Sequence, residues 1–365
     1  MGNRTEGIAR IIFTDLLSIN LIGHETVRVS ADPQEECWLK SHPKRQTYSW
    51  LLPLSFLLLP LLSACDSRHE QPLRIASSPW PGYEPLYLAK EVGYLPPDKA
   101  SVFELPSSDI TLESFRNHST DIATLTLDET LDLLASGEKL RVITVLDVSH
   151  GADAVMARPG IRKLADLKGK RIAILNIPLG VYMLSRTLEA AGLERKDVTV
   201  IPTSESKHEE MYRLKRADAF ITFDPFKTAL ANRGAHVLFD SSQIPNEIFD
   251  LMLVREEMYQ TRRDDVCNVA RQWFRILTYM REHPDEAAAS IAKRLGVTPQ
   301  EYRDMVGGIK IPTLQENLSI LGGKTPDIVA AAKRLNTVMV GEGQLEREVD
   351  ISPALLPDLQ ACISE

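Results

Sequence analysis

The sequence predicts an α/β fold of two lobes, each a mostly parallel sheet flanked by helices, with a helical tail at the C-terminal end. From Leu73 onward, short apolar runs alternate with helical patterns, which is typical of parallel sheets with crossover helices. The series restarts after residues 158–160, Arg-Pro-Gly, which predicts a second lobe. Beyond residue 255 the apolar residues keep helical spacing, which predicts the tail.

The first lobe is predicted to contain five strands, at residues 73–76, 102–105, 121–124, 140–146 and 152–156. A helix begins at Glu84, because Pro85 suits the first turn of a helix, and it ends near Gly93. A second helix follows the third strand, since leucines recur at helical spacing between Leu127 and Leu134.

The second lobe is predicted to contain four strands, at residues 171–174, 198–201, 219–222 and 236–239. After the first of them, a helix near residues 181–191 puts Leu184 and Leu188 on one apolar stripe. Gly192 suits the C-terminal end of this helix. A strand at residues 251–254 then precedes the helical tail.

The chain should cross between the lobes near residues 156–160 and again near residues 245–250. We therefore assign residues 72–157 and 248–365 to the first lobe and residues 158–247 to the second. Two such lobes meet at a cleft. Because ligands of open α/β sheets sit beyond the carboxyl ends of the strands, the loops after each strand are where functional residues are expected.

The segment before the first strand carries the layout of a secretory signal, which we place at residues 40–64. Basic residues between 40 and 45 precede an apolar run at residues 50–62, and small residues lead to Cys65. The run is shorter than the roughly 20 apolar residues of a membrane-spanning helix and contains two prolines. Its end resembles a bacterial lipobox, which would make Cys65 the lipidated first residue of the mature protein.

Residues 1–39 show neither periodicity nor a recognisable domain composition, and we treat them as a doubtful extension. The next methionine after Met1 is Met156, so an internal start would need another codon, for which Leu39 is a suitable site. We expect the mature protein to lack this extension.

The composition is that of an ordinary globular protein, and it argues against nucleic-acid binding and against a zinc site. Hydrophobic content is 44% and charged content 25%, as in ordinary globular proteins. The formal net charge of -8 and the lack of a basic stripe argue against nucleic-acid binding. Of the four cysteines, only Cys267 and Cys362 could bridge; an exported protein permits this, and two buried thiols are the alternative. No spacing fits a zinc site, and we expect neither a metal nor a cofactor.

The loop after the first strand carries Ser78, Trp80 and Tyr83. Aromatic area on a surface turn is costly unless something covers it. A ligand in the cleft is one candidate cover, and packing against the other lobe is the alternative. We take these three residues as ligand-binding candidates.

Four further candidates lie where helices start or loops end, at Ser108, Thr126, Gly180 and Tyr182. Thr126 with Glu129 fits a capping box, and the cap is the favoured role for this threonine. Free amides at a helix start can also hold a ligand oxyanion or carboxylate. Gly180 would let a ligand approach the backbone closely, although loop flexibility explains this glycine equally well.

Three carboxylates near strand ends, Asp147, Asp153 and Asp224, suit an amine or a ring N–H donor. Asp224 precedes Pro225 and is most simply a helix N-cap. Asp153 sits in an otherwise apolar strand, where a buried carboxylate needs a partner. An arginine of the protein and a cation of the ligand both remain open as that partner.

Several segments in order resemble the substrate-binding proteins of ABC importers for nitrate, sulfonates, taurine and thiamine precursors, the SsuA/THI5-like group. The segments are residues 80–89 (WPGYEPLYLA), 93–95, 121–123, 167–171, 192–193, 197–198 and 217–219, followed by Pro225. The resemblance covers about residues 73–255. It implies a two-lobed periplasmic-binding-protein fold of type II that closes around a small molecule by rigid-body motion.

The resemblance implies a solute-binding lipoprotein that works as a monomer and hands its ligand to an ABC permease in the inner membrane. Cys65 would tether it in the periplasm, and Asp66 resembles an inner-membrane retention signal of Gram-negative lipoproteins. A sensing subunit of a membrane signalling protein is the alternative, and a periplasmic enzyme a minor one. The CCCFC motif of a related thiamine-pyrimidine synthase is absent. Because the candidate loops carry many carboxylates and few cations, we expect an amine-bearing or heterocyclic ligand rather than nitrate or a sulfonate.

Overall fold

A computed structural model describes residues 71–356 and 358–364, and these residues form an α/β fold, as predicted. The strands are β1 (Leu73–Ser77), β2 (Ala100–Glu104), β3 (Ile122–Thr126), β4 (Leu140–Ser149), β5 (Ala154–Ala157), β6 (Arg171–Leu175), β7 (Thr199–Thr203), β8 (Ala219–Thr222), β9 (His236–Asp240), β10 (Phe249–Arg255) and β11 (Ile309–Lys310). The helices are α1 (Glu84–Glu91), α2 (Ser108–Arg116), α3 (Leu127–Ala135), α4 (Pro178–Ala191), α5 (His208–Arg213), α6 (Phe226–Ala231), α7 (Glu256–Thr261), α8 (Arg263–Glu282), α9 (Pro284–Leu295), α10 (Pro299–Val306), α11 (Leu314–Leu321), α12 (Asp327–Gly341) and α13 (Leu359–Ser364). The signal segment and Cys65 lie outside the described residues.

The strands form two sheets, one for each predicted lobe. The first has the order β11-β4-β10-β3-β1-β2, and the second has the order β7-β6-β8-β5-β9. Strands β1, β2 and β3 pair in parallel, as do β6, β7 and β8. Strands β10 and β5 pair antiparallel with both of their neighbours. The sheets are therefore mixed rather than mostly parallel, because the strands that follow a crossing between the lobes run against their neighbours.

The chain leaves the first sheet after Ser149 and enters the second at Ala154, and it returns between Asp240 and Phe249. We had placed the first crossing near residues 156–160. Strand β5 thus belongs to the second sheet, although its apolar run reads like a continuation of the first series. The extent of each lobe beyond its sheet stays a prediction.

The two crossing segments are fastened to each other at their starts. The hydroxyl groups of Ser149 and Ser241 lie 2.7 Å apart, and the Ser241 hydroxyl accepts a hydrogen bond from the amide of Gly151 at 2.6 Å. The amide of Ser241 donates to the carbonyl of Asp153 at 2.9 Å. Both serines are buried, so the crossings form one hydrogen-bonded unit at the base of the cleft.

The helix ends follow the local signals in the sequence. Helix α1 has Pro85 in its first turn, where a missing N–H costs nothing. Helix α4 starts at Pro178, earlier than predicted, and ends at Gly192, whose φ of 63° is the left-handed conformation that glycine adopts easily. These helices cover one face of each sheet and bring their N-termini to the carboxyl ends of the parallel strands.

The tail is helical apart from the short strand β11. Helix α8 packs against α1 and α13, while α12 contacts both α3 and α4. A disulfide joins Cys267 on α8 to Cys362 on α13, which answers the question that the sequence left open. Within the described part of the chain, no helix is both long and apolar enough to span a bilayer.

His208 is a buried titratable group outside the cleft. It is fully buried on α5 against the ring of Phe220, and neither ring nitrogen has a hydrogen-bond partner among the described residues. Burial disfavours the charged imidazolium and lowers the pKa of His208 to about 3. The native protein therefore holds this side chain neutral.

We expect that replacing both Cys267 and Cys362 by serine lowers the free energy of unfolding by about 2–4 kcal/mol, because the bridge closes a long loop in the unfolded chain. The two cysteines are 95 residues apart. Urea unfolding of the two proteins measures the difference. A reducing agent should lower the stability of the wild-type protein by a similar amount and should leave the stability of the double variant unchanged. A loss of stability in the double variant on reduction would contradict this account.

We expect acidification to lower the stability of the wild-type protein more than it lowers the stability of the His208→Phe variant. The native pKa of His208 lies below that of the unfolded chain, so its contribution is intact above about pH 6.5 and is lost as the pH falls toward 3. By pH 4 the difference should be on the order of 3 kcal/mol, measured by urea unfolding at each pH. The exposed His236→Phe change serves as the control. Parallel stability curves for wild type and His208→Phe would refute the prediction.

Candidate functional site

A small cavity lies where the loops of the two sheets face each other. Its volume is about 20 Å³, which is room for about one or two water molecules. It is lined by Ser78, Trp80, Tyr83, Ser108, Thr126, Glu129, Asp153, Ile177, Leu179, Phe223 and Asp250. Residues of both lobes contribute, so the cavity lies in the predicted cleft.

The aromatic wall comes from the loop after β1 and the short 3-10 helix Pro81–Tyr83. The indole N–H of Trp80 donates to Oδ2 of Asp147 at 2.8 Å, and the hydroxyl of Tyr83 donates to Oδ1 of Asp250. Trp80 also meets Phe223 of the second lobe edge to face, with ring centroids 5.4 Å apart. Both aromatic residues thus line the cavity, and Trp80 also packs against the other lobe.

The start of α3 forms the capping box predicted for Thr126 and Glu129. Oε2 of Glu129 accepts from the amide of Thr126 at 2.8 Å and from its hydroxyl at 3.0 Å. Oε1 of Glu129 is buried and has no partner among the described residues. Burial, with the nearby Asp128 charge, raises the pKa of Glu129 well above its ordinary value. One oxygen therefore caps the helix while the other is unsatisfied at the cavity.

Asp153 lies between the first crossing and β5, with 3% of its surface exposed. Burial raises its pKa to about 6, although the hydroxyl of Ser149 and the charge of Lys227 act in the opposite direction. Lys227 forms its ion pair with Asp224, 3.0 Å away. Asp153 is therefore a buried carboxylate that is ionised at pH 7 without an ion pair of its own among the described residues.

Asp147 and Asp250 occupy facing positions on β4 and β10, and on its other side Asp250 faces Thr126 of β3. Both carboxyl groups are buried. Burial raises the pKa of Asp147 to about 7, and burial together with the charge of Asp147 raises the pKa of Asp250 well above its ordinary value. The floor of the site is a pair of acids that cannot both be charged at low cost.

Two polar contacts close the rim between the lobes. Oε1 of Glu205 accepts from the amide of Ser108 at 2.8 Å and from its hydroxyl at 3.2 Å. The hydroxyl of Ser204 lies 3.0 Å from both carboxylate oxygens of Asp109. Since α2 belongs to the first sheet and the segment after β7 to the second, these bonds hold the lobes together.

The structure places six of the ten ligand-binding candidates on the cavity wall: Ser78, Trp80, Tyr83, Ser108, Thr126 and Asp153. Asp147 lies just behind that wall, bonded to Trp80. Direct contact of these residues with a ligand stays a prediction.

Gly180, Tyr182 and Asp224 do not line the cavity. A Cβ on Gly180 would lie 2.2 Å from the carbonyl oxygen of Leu175, so this glycine lets α4 pack on the end of β6. The Tyr182 hydroxyl donates to Glu247. Oδ1 of Asp224 accepts from the amide of Thr228 at 3.0 Å, in the first turn of α6. The N-cap position itself is Pro225, one residue later than the sequence predicts.

Five residues of the cavity wall were not among the candidates from the sequence: Glu129, Ile177, Leu179, Phe223 and Asp250. A signal was available for Asp250, because it is a carboxylate in the apolar strand β10, just as Asp153 is in its own segment. Glu129 was assigned to the cap alone. Phe223 directly follows β8, in the loop position where site residues were expected. Ile177 and Leu179 gave no chemical signal.

The charge of the site is one-sided. Of the described residues, none that lines the cavity is Lys, Arg or His, whereas Glu129, Asp153 and Asp250 are acids. Nor do three or more His, Cys, Asp or Glu side chains of the described chain converge closely enough to hold a metal ion. The arrangement suits an organic cation or a cluster of N–H donors between aromatic rings.

Comparison with known proteins gives consistent matches. A family model described as NMT1/THI5 like matches residues 80–287. A protein of Escherichia coli (strain K12) named as an aliphatic sulfonates-binding protein is 22% identical over 205 residues, 55% of this chain. The match spans 64% of that relative's own length.

Solved structures share the fold. The alkanesulfonate-binding protein SsuA from Xanthomonas axonopodis pv. citri, bound to MOPS, has a TM-score of 0.66 at 20% identity, covering 79% of this chain and 99% of that one. The desulfurization enzyme DSZB has a TM-score of 0.59 at 18% identity, covering 80% of this chain and 99% of that one. These likenesses confirm the two-lobed binding-protein fold.

We expect Gly82→Ala to disturb the floor of the site. A Cβ at Gly82 would lie 1.9 Å from Oδ2 of Asp147 and 2.5 Å from Nε1 of Trp80, so their hydrogen bond must lengthen or break. Overpacking of this kind costs about 1–3 kcal/mol, which urea unfolding measures. Gly341→Ala is the matched control, because no atom lies within 4 Å of its Cβ position. Equal stability of the two variants would contradict the close approach.

Proposed function

Because the chain belongs to the NMT1/THI5-like family, we propose that it is an extracytoplasmic solute-binding protein that delivers a small organic ligand to an ABC importer. The support is twofold. The E. coli relative and the Xanthomonas structure are both named as binding proteins, and the described chain encloses a cavity between two lobes. Lobes of this kind open to admit a ligand and close around it.

The proposed ligand is an amine-bearing or heterocyclic cation. The observation that carries this choice is the cavity lining, in which Glu129, Asp153 and Asp250 meet aromatic rings and no Lys, Arg or His is among the described lining residues. Buried carboxylates that form no ion pair among the described residues are costly. A cation with N–H donors would satisfy them, and its apolar part would pack on Trp80 and Phe223.

The relatives named for sulfonates raise the competing candidate, a sulfonate anion. An anion in this cavity would stand beside Asp153 without a facing cation, and like charges at close range in a buried site repel strongly. The hydroxyl groups of Ser78 and Ser108 are neutral donors that could serve either ligand. The charge of the wall therefore favours the cation.

We propose that the protein works outside the cytoplasm as a monomer, lipid-anchored through Cys65 and in contact with a permease of the inner membrane. The Cys267–Cys362 disulfide supports an oxidising compartment. The sequence layout of residues 40–66 supports the anchor. A sensing subunit would use the same cleft, and co-purification with a permease rather than a signalling protein separates the two roles.

We propose binding rather than catalysis, although DSZB has the same fold and is an enzyme. In the described part of the chain both cysteines are joined in a disulfide, so the cavity offers no free thiol. Its acids are arranged around aromatic rings as partners for a positive charge. This supports recognition as the task of the site.

We expect benzylamine or 4-aminopyridine to raise the melting temperature of the protein, because a ligand that binds only the folded state stabilises it. Butanesulfonate and nitrate should leave it unchanged. A thermal-shift series at pH 7.5 measures both. Stabilisation by butanesulfonate or nitrate alone would overturn the cationic ligand while keeping a binding function.

The same ligands test the role of Asp153. Asp153→Asn keeps the shape of the side chain and removes its charge, and we expect the affinity for a cation to fall about tenfold or more. Asp98→Asn, at an exposed turn, is the matched control and should bind like the wild type. Equal affinities of the two variants would count against an ionic role for Asp153.

A further inference from the structure

The paired acids at the floor of the cavity have an unusual contact. Asp147 and Asp250 are register partners on neighbouring antiparallel strands and are both buried, a position in which side chains on one face of a sheet contact each other. Two ionised carboxylates have only acceptor oxygens, so this contact is a hydrogen bond only if one of them carries a proton.

The other partners of the pair are neutral. Trp80 donates its indole N–H to Oδ2 of Asp147, and Tyr83 donates its hydroxyl to Oδ1 of Asp250. Among the described residues, no Lys, Arg or His forms an ion pair with either acid. Oδ1 of Asp147 is buried and accepts no hydrogen bond from the described residues. If both acids were ionised, no positive charge among their partners would compensate them. A proton shared between them removes one of the two charges.

The groups that face the pair from other elements deepen the negative potential. Tyr83 and Asp153 act on the pair directly, and Glu129 acts on Tyr83. Asp128 and Glu205 lie beyond them beside Glu129, and Lys227 lies beside Asp153. The single cation of this set, Lys227, is held by Asp224 at 3.0 Å. Lys310 on β11, beside β4, is exposed. The surroundings therefore favour keeping the proton.

We propose that the free protein keeps one proton shared between Asp147 and Asp250, and that a cationic ligand takes its place, so that each binding event releases this proton to solvent. The inference rests on the proposed cationic ligand for its second half only. On binding, the carboxyl O–H bond breaks, the proton passes to water or buffer, and N–H groups or the positive charge of the ligand compensate the two carboxylates. No other bond changes.

Ligand affinity then depends on pH in a defined direction. The ligand-bound protein holds one proton fewer at this pair than the free protein, so the affinity rises with pH by about tenfold per pH unit while the pair is protonated. The pKa of Asp147 is raised by burial and that of Asp250 by burial and the charge of Asp147, so this dependence extends above the pH range in which an ordinary aspartate titrates. Acidification would weaken binding.

The shared proton is testable without a ligand, by the net charge of the full chain in capillary electrophoresis at pH 8. Asp250→Asn removes one carboxyl together with the proton, so the charge should stay that of the wild type. The control Asp98→Asn, and the double variant Asp147→Asn with Asp250→Asn, should each lose about one negative charge. A shift of a full charge in Asp250→Asn would overturn the shared proton.

If Asp250→Asn does not fold, the infrared spectrum of the wild-type protein decides. A protonated carboxyl has a carbonyl stretching band distinct from the bands of a carboxylate. The band should be present at pH 8, where an ordinary aspartate is ionised, and should be lost in Asp147→Asn, which distinguishes the shared proton from one on Glu129. A spectrum with carboxylate bands alone would overturn the proposal.

The displacement is tested by calorimetry with benzylamine and with choline, whose charge is permanent, in buffers of different ionisation enthalpy. We expect release of about one proton per ligand, and an affinity that rises about tenfold per pH unit. Binding without proton release would overturn the displacement and leave the proposed ligand class intact. Failure of both cations to bind would overturn the ligand class and the displacement together, while the charge measurement would still stand for the shared proton.

Discussion

The pairing of β10 with β3 and β4 is the interaction on which the rest of the structure depends. This strand comes back from the second lobe and enters the middle of the first sheet, hydrogen-bonded on both sides. It therefore joins the lobes, and it places Asp250 between Thr126 at the end of β3 and Asp147 near the end of β4. A site assembled at the seam of two lobes can respond to their opening.

The second theme is the cost of that assembly. The described chain buries several acids at one place and gives them hydroxyl, amide and indole donors instead of cations. Proteins place such unfavourable groups where function requires them. In the ligand-free cavity, burying these acids without cations raises the free energy of the protein. A ligand of positive charge would remove part of this cost, and that part would contribute to the binding free energy. The helix caps and rim hydrogen bonds keep the acids in place meanwhile.

Much of the fold was accessible from the sequence because its signals are local. Helix ends at Thr126 and Gly192 depend on neighbouring residues, and the resemblance to the family was confirmed by the match over residues 80–287. The crossing at Ser149 was missed, because the apolar run of β5 fits either sheet equally well. Its antiparallel pairing depends on contacts that are distant in sequence.

The site was only partly accessible for the same reason. Ser78, Trp80 and Tyr83 lie in a loop whose aromatic composition predicts a ligand-binding surface. Phe223 reaches the cavity because the two lobes face each other, and Asp250 reaches it because β10 lies in the middle of the first sheet. No short stretch of sequence encodes either arrangement. The two acids on β4 and β10 meet because of the register in which these strands pair. These strands are distant in sequence, so their register cannot be predicted from local sequence patterns.

The cavity volume of about 20 Å³ has a kinetic consequence. A molecule the size of benzylamine does not fit the closed lobes, so the encounter must take place with an open form and capture must follow by closure. Association is then slower than diffusion allows, and the apparent affinity is the intrinsic affinity scaled by the fraction of open molecules. Substitutions of the rim residues Glu205, Asp109 and Ser204, none of which lines the cavity, would act on that fraction, and would change the rates of capture and release without touching the ligand.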